Sequence, residues 1–245
     1  MKYVGSKNRL AKELAPIIQS YVDNPLCVGY IEPFVGGANM IDKIKCKRKY
    51  GCDTHKYLIA LLTKVRDDVD DLPDTYNEAM YKAVKEHPEN YEDWFVGLVG
   101  FCFFGAKWFG GFPRGFKEDK VTPRDIVAES IRNLKKQAPN LKDTSFLCKD
   151  FRSMKENTEG YVIYCDPPYR DTTKYATGNF PYDEFYDWCR KFSKNNIVLI
   201  SDYWMPDDFE CVWQKEVKTS LDNNRGADND KTNRVEKLWK WKGEK

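Results

Sequence analysis

The run Asn196-Ile-Val-Leu-Ile-Ser201 is apolar without interruption. A strand built from it must be covered on both faces, which happens chiefly in parallel sheets flanked by helices. Other β-branched or aromatic runs read as strands over 27–31, 49–52, 145–148, 161–165, 210–218 and 235–241. Helical patterns lie among them. Residues 7–21 put Leu10, Leu14, Ile17, Ile18 and Tyr21 on one face, and 56–69 do the same with Leu58, Leu61, Leu62 and Val65. A third pattern covers 183–192, with Phe185, Trp188, Cys189 and Phe192 at helical spacing. Alternating strands and helices predict an α/β fold with a mostly parallel sheet. The last two runs are joined only by a polar loop, so they predict an antiparallel pair at the far end of the sheet.

Residues 70–143 differ. They hold no convincing buried strand, and they include an aromatic, glycine-rich passage over 97–116 between helical patterns at 74–85 and 123–137. They read as an inserted helical subdomain, with 1–69 and 144–245 forming the main domain. A chain of 245 residues accommodates this arrangement.

Composition narrows the class of protein. Hydrophobic residues make up 41% and charged ones 32%, the profile of a soluble globular chain. The net charge of +2 does not by itself mark a nucleic-acid binder. The 8 cysteines form no C-x-x-C pair, and His55 and His87 have no neighbouring ligand cluster, so no metal is expected. The N-terminus lacks the apolar core of a signal peptide, and the longest apolar run falls short of the ~20 residues that span a bilayer. The expectation is an intracellular protein with reduced thiols and no membrane partner.

Chemistry concentrates in Tyr161-Val-Ile-Tyr-Cys-Asp166-Pro167-Pro168-Tyr169. The strand stops at Cys165, because two prolines supply no ladder donors. In an open parallel sheet, ligands bind beyond the carboxyl ends of the strands, so this loop stands where chemistry is expected. Asp166 can accept one hydrogen of an exocyclic amine and the carbonyl of Pro167 the other. Together they draw the nitrogen lone pair out of conjugation and aim it at a methyl group. Tyr169 offers a flat face to an extruded base, a contact worth ~1–3 kcal/mol. The plainer reading is a turn that ends a strand.

A second signal follows the first strand, in Ile31-Glu32-Pro33-Phe34-Val35-Gly36-Gly37-Ala38-Asn39. Small residues here let the backbone approach a ligand closely, although an ordinary connection can look the same. Asp53 ends the next strand. In a doubly wound sheet an acid roughly 20 residues beyond such a turn binds a ribose hydroxyl. The competing role for Asp53 is to cap a helix over 54–69.

The order of these features resembles that of the DNA adenine-N6 methyltransferase (Dam) family, D12 class, including its bacteriophage members: a Phe-Val-Gly-Gly turn, an acid, a long insertion, then Asp-Pro-Pro-Tyr. The likeness runs over most of the chain. It implies a Rossmann-like sheet that binds S-adenosylmethionine (AdoMet), an inserted target-recognition subdomain and transfer of a methyl group to N6 of adenine in duplex DNA. It implies a cytoplasmic enzyme that needs no metal, since AdoMet already carries an activated methyl. Membership of a restriction-modification system would be compatible. Tyr3-Val-Gly-Ser-Lys7 is similar to the family's N-terminal segment, which places Tyr3 and Lys7 against the cofactor. Phe34 and Gly36 would form the cofactor floor, Asp53 would take the ribose, and Asp150 of Cys148-Lys-Asp-Phe151 would meet the adenine of AdoMet. Asp166, Pro167, Pro168 and Tyr169 map onto the catalytic loop, with Asp166 also close to AdoMet. The chain departs from the family's pattern at Ala38, where many relatives carry a second glycine, and at Ser6.

The passage Phe101-Cys-Phe-Phe-Gly-Ala-Lys107-Trp108-Phe-Gly-Gly-Phe-Pro-Arg114 joins aromatics to cations. Residues 101–104 read equally as core or as wedges for a duplex that has lost a base. Lys107, Trp108 and Arg114, beyond the apolar run, are read as DNA contacts. Rival readings keep the fold and change the acceptor to RNA adenine or N4 of cytosine, or keep only DNA binding without catalysis. The joint presence of Lys7, Asp53, Asp166 and Tyr169 argues against the last.

Overall fold

The computed structural model describes residues 1, 3, 5–101, 108–113, 125–169, 180–218 and 233–243. Its strands are β1 (Gly29–Glu32), β2 (Lys49–Asp53), β3 (Thr144–Cys148), β4 (Tyr161–Cys165), β5 (Ile197–Asp202), β6 (Phe209–Lys218) and β7 (Asn233–Trp241). They form one 7-stranded sheet in the order β3-β2-β1-β4-β5-β7-β6. The first five strands are mutually parallel, and β7 lies antiparallel between β5 and β6. Both sequence expectations, a parallel sheet and an antiparallel pair at its end, hold. The order reverses between β1 and β4, and that is where a doubly wound sheet opens a crevice for ligands.

Side-chain alternation explains why the central strands are apolar throughout. On β4, Val162 and Tyr164 enter one core while Ile163 and Cys165 enter another. On β5, Leu199 faces the first core, and Val198 and Ile200 face the second. The second core is closed by helix α6 (Tyr182–Ser193) through Phe185, Trp188, Cys189 and Phe192. The first is closed by α1 (Ala11–Val22) through Leu14 and Ile18 and by α2 (Lys56–Asp67) through Leu58, Leu61, Leu62 and Val65. No helix among the described residues is long and apolar enough to cross a membrane.

Between α2 and β3 lie α3 (Glu78–Glu86), α4 (Asp93–Phe101) and α5 (Ile126–Gln137). Asn77 caps α3 by accepting from the Met80 amide at 2.9 Å, and Asp125 caps α5 by accepting from Ala128 at 2.8 Å. Helix α4 escaped the sequence reading. It is apolar almost all round, so it lacks the polar face that marks a surface helix. Its buried Val96, Leu98, Val99 and Phe101 join the same core as α2, as do Val127, Ile131 and Leu134 of α5.

Gly97 permits this packing. A Cβ placed there would sit 2.1 Å from the carbonyl oxygen of Tyr57 in α2, which is backbone and cannot turn aside. Gly97→Ala is therefore expected to destabilise the fold by about 1–3 kcal/mol, seen as a lower urea midpoint at unchanged slope. A midpoint equal to that of the wild type would show that α2 and α4 separate at little cost.

Candidate active site

An acidic residue stands at or just beyond the carboxyl end of each parallel strand. Glu32 ends β1, Asp53 ends β2 and Asp202 ends β5, while Asp150 and Asp166 follow β3 and β4. This edge is also where the N-terminal segment arrives, in a 3-10 turn over Lys7–Arg9 that buries Lys7.

Lys7 Nζ lies 2.7 Å from Asp166 Oδ1 and 3.5 Å from Glu236 Oε1, and 4.4 Å from the centroid of the Tyr169 ring. The Tyr169 hydroxyl in turn donates to Glu236. Burial alone would depress the Lys7 ammonium, but Asp166 and Glu236 more than offset it and hold its pKa above the usual range. Burial pushes the Asp166 and Glu236 carboxyls up, opposed by Lys7 in both cases. Tyr182, the first residue of α6, donates to the carbonyl of Pro168 at 2.8 Å, which fixes the loop beyond Asp166. The Tyr203 ring meets Tyr169 edge-on at 4.7 Å, and the Arg234 guanidinium lies 5.3 Å from the Tyr203 centroid. Trp204, next along the chain, is 52% exposed.

The turn after β1 builds the neighbouring cradle. Gly36 (φ 47°) and Ala38 (φ 54°) both adopt left-handed backbone. Ala38 thus holds a conformation that glycine takes freely and other residues adopt at a cost of roughly 1–2 kcal/mol. The turn survives the alanine because the methyl is small, and it is buried in the main core. Tyr3 lies over the turn so closely that a Cβ on Gly37 would come within 2.8 Å of its own Cβ. Asn39 ties the N-terminal segment down by donating to the Met1 carbonyl at 2.9 Å and to Ser6 Oγ at 2.8 Å.

Asp53 joins two elements. It accepts from the Gly36 amide at 3.2 Å and from the His55 amide at 3.0 Å, so it braces the glycine turn, while His55 occupies the cap position of α2. Burial raises its pKa, and these amides oppose the shift. Phe34 packs against Phe151, Phe180 and Phe185 at 5.5–5.7 Å, which makes it a lid on the second core beneath the turn. Asp150 caps the short turn Phe151–Ser153 and grips Arg152 with both oxygens, at 2.7 and 2.9 Å, which keeps its carboxyl low.

The structure thus brings Tyr3, Lys7, Phe34, Gly36, Asp53, Asp150, Asp166, Pro167, Pro168 and Tyr169 to one edge of the sheet. Trp108 lies apart. Its ring stacks on Tyr57 at 5.5 Å and contacts His55 at 4.4 Å and Phe101 at 4.6 Å, above Gly100. Lys107 and Arg114 lie outside the described residues.

Three participants were missed in the sequence. Asp202 could have been found by the reasoning that found Asp53, since it directly follows an apolar strand. Glu236 gave only a faint sign, an acid two residues from the buried Leu238 and hence on the same strand face. Tyr203 gave none.

A charge excess gives this edge its chemical character. Asp166 and Glu236 flank Lys7, and Asp202 stands close enough to feel both of their charges. Burial, together with those charges, pushes the Asp202 carboxyl up to about 7. Its hydrogen bonds from the backbone amides of Tyr203, at 2.6 Å, and Trp204, at 3.5 Å, favour ionisation and oppose that shift. An edge with this excess of carboxyls suits a cationic ligand.

Comparison with known proteins decides which ligand and which reaction. The family model for D12 class N6 adenine-specific DNA methyltransferases matches residues 3–97 and 117–197, more than half of the chain. The chain belongs to this family. It is an AdoMet-dependent enzyme that methylates N6 of adenine in DNA. The D12-class enzyme is similar to the Type II methyltransferase M.MjaIII of Methanocaldococcus jannaschii, at 24% identity over 93% of this chain and 84% of that protein. It is also similar to the DNA adenine methylase of Haemophilus influenzae, at 27% identity over 69% of this chain and 63% of that protein. Among solved structures, the rRNA methyltransferase AviRa from Streptomyces viridochromogenes aligns over 95% of this chain and 84% of its own, with a TM-score of 0.43 and 10% identity.

The carboxyl of Asp202 gives the D12-class enzyme a measurable pH signature. Its folded value of about 7 stands above the ~3.9 of an unfolded aspartate. The folded chain therefore holds the extra proton across that window, and stability falls as pH rises from about 4 to about 7. Asp202→Asn removes this dependence while keeping an acceptor for both amides. Urea unfolding at pH 5 and pH 8 should show a loss smaller by about 2 kcal/mol in the variant than in the wild type. Equal losses would mean that Asp202 is already ionised in the folded state at pH 5.

Proposed function

We propose that the enzyme acts on duplex DNA and rotates the target adenine out of the helix into the space bounded by Asp166, Pro167 and Tyr169. The observation that carries this reading is the Lys7–Asp166–Tyr169 cluster at the carboxyl end of β4. When bound, AdoMet supplies a methyl group already activated by its sulfonium, so the protein's task is orientation and no metal is needed. Asp166 and the Pro167 carbonyl accept the two amino hydrogens and turn the N6 lone pair outward. Pro168 keeps the loop rigid, with its own carbonyl occupied by Tyr182. Tyr169 supplies the stacking face, and Lys7 keeps Asp166 in place.

The residues around the glycine turn fit AdoMet. Gly36 lets the Tyr3 ring close on the turn, since a Cβ there would come within 3.0 Å of it, and Asp53 at the end of β2 has acceptor capacity left for ribose hydroxyls. Phe34 forms the floor. Asp150, placed just beyond β3, is assigned to the adenine end. Residues 70–143 are assigned to target recognition, with Lys107 and Arg114 contacting DNA and Trp108 anchoring the segment next to them against Tyr57. The enzyme would work in the cytoplasm, where its substrate is exposed.

Labelled methyl from AdoMet should appear on unmethylated duplex DNA as N6-methyladenine, and Asp166→Ala should lower transfer by about a hundredfold or more while retaining part of the AdoMet affinity. Near-normal turnover in that variant would remove the role given to Asp166, and label on RNA alone would change the acceptor. Lys107→Ala and Arg114→Ala should each weaken duplex binding and flatten its salt dependence, as lost phosphate contacts do. Unchanged binding in both would return these residues to the solvated surface.

A further inference from the structure

Glu236 is buried, and the roles assigned above leave it without a task. Topology brings it to the site. Because β7 runs antiparallel to β5, with Asp202 paired to Lys237, Glu236 lies just past the end of β5, on the edge where β4 delivers Asp166. Alternation turns it inward, on the same face as the fully buried Leu238.

A carboxyl in such a place is costly unless it is paired and hydrogen-bonded. Glu236 is both. It accepts from the Tyr169 hydroxyl and stands 3.5 Å from Lys7 Nζ, the same ammonium that lies 2.7 Å from Asp166. One side chain from the far hairpin therefore touches both groups that flank the Asp166 carboxyl.

We infer that Glu236 is a positioning residue for methyl transfer, fixing the Tyr169 ring and the Lys7 ammonium relative to Asp166. The inference rests on the roles proposed for Asp166 and Tyr169. Tethering the hydroxyl stops the ring from swinging about its χ1 bond, so one face stays turned to the target base. Sharing Lys7 between two carboxyls keeps the ammonium from settling wholly on Asp166, which leaves Asp166 an acceptor site for an amino hydrogen. Displacements of about 1 Å at reacting groups can cost on the order of a hundredfold in rate, so the effect belongs in kcat.

The test uses Glu236→Gln, Glu236→Ala and Tyr169→Phe in the full chain, with Asp166→Ala alongside. Glu236→Gln keeps an acceptor for the Tyr169 hydroxyl and loses the charge, and should lower kcat about tenfold; Glu236→Ala loses both and should lower it about a hundredfold. The KM for AdoMet should stay within about threefold in each, since the glycine turn is untouched. Combining Glu236→Ala with Tyr169→Phe should cost much less than the product of the two single losses, because both remove one contact. Wild-type kcat in Glu236→Gln and Glu236→Ala, or losses that simply multiply, would overturn the inference. Should Glu236→Ala fail to fold, Glu236→Gln and Tyr169→Phe still decide it. Normal turnover in Asp166→Ala would instead remove the reading on which it rests.

Discussion

A buried ammonium at Lys7 holds the site together. Desolvating it is unfavourable, and only carboxyls placed on both sides make it tolerable. Those carboxyls come from opposite parts of the chain, Asp166 from the loop after β4 and Glu236 from the far hairpin. Holding one cation therefore requires the N-terminal segment, the central strands and the antiparallel end of the sheet to be assembled together. The same requirement links folding to the proposed chemistry, since Asp166, one of the two carboxyls that satisfy Lys7, is the one proposed to orient the amine.

The sheet makes that assembly possible by gathering strand ends. Parallel strands deliver the residues that follow them to a common edge, and an antiparallel neighbour brings its opposite end to the same place. Glu32, Asp53, Asp166 and Asp202 reach the edge by the first route and Glu236 by the second. Burial raises every one of these carboxyls, Glu32 and Asp202 most, and Lys7 opposes the shift at Asp166 and Glu236.

Local strain at Ala38 shows how the turn tolerates a departure from the family's glycine pattern. A left-handed alanine is disfavoured, but its methyl packs in the main core, and Asn39 next to it clamps the N-terminal segment through Met1 and Ser6. Tertiary contacts on each side thus hold a backbone conformation that the residue alone would not choose.

The strands and most helices were legible because their signals are local: the apolar run of β5, the spacing of Leu58, Leu61, Leu62 and Val65, the prolines that end β4. The placement of Asp166, Tyr169 and Asp53 at or just after strand ends was legible for the same reason. Helix α4 was not, because a helix buried on every side has no amphipathic period, and Gly97 looks like a breaker until α2 is seen against it. Glu236 was not, because its role depends on a partner 67 residues away. Residue order alone therefore establishes the strands, the amphipathic helices and the loop that follows β4. Which charges share Lys7 is settled only in the folded chain, because an ion pair depends on distance in space, and the order of strands in the sheet sets that distance.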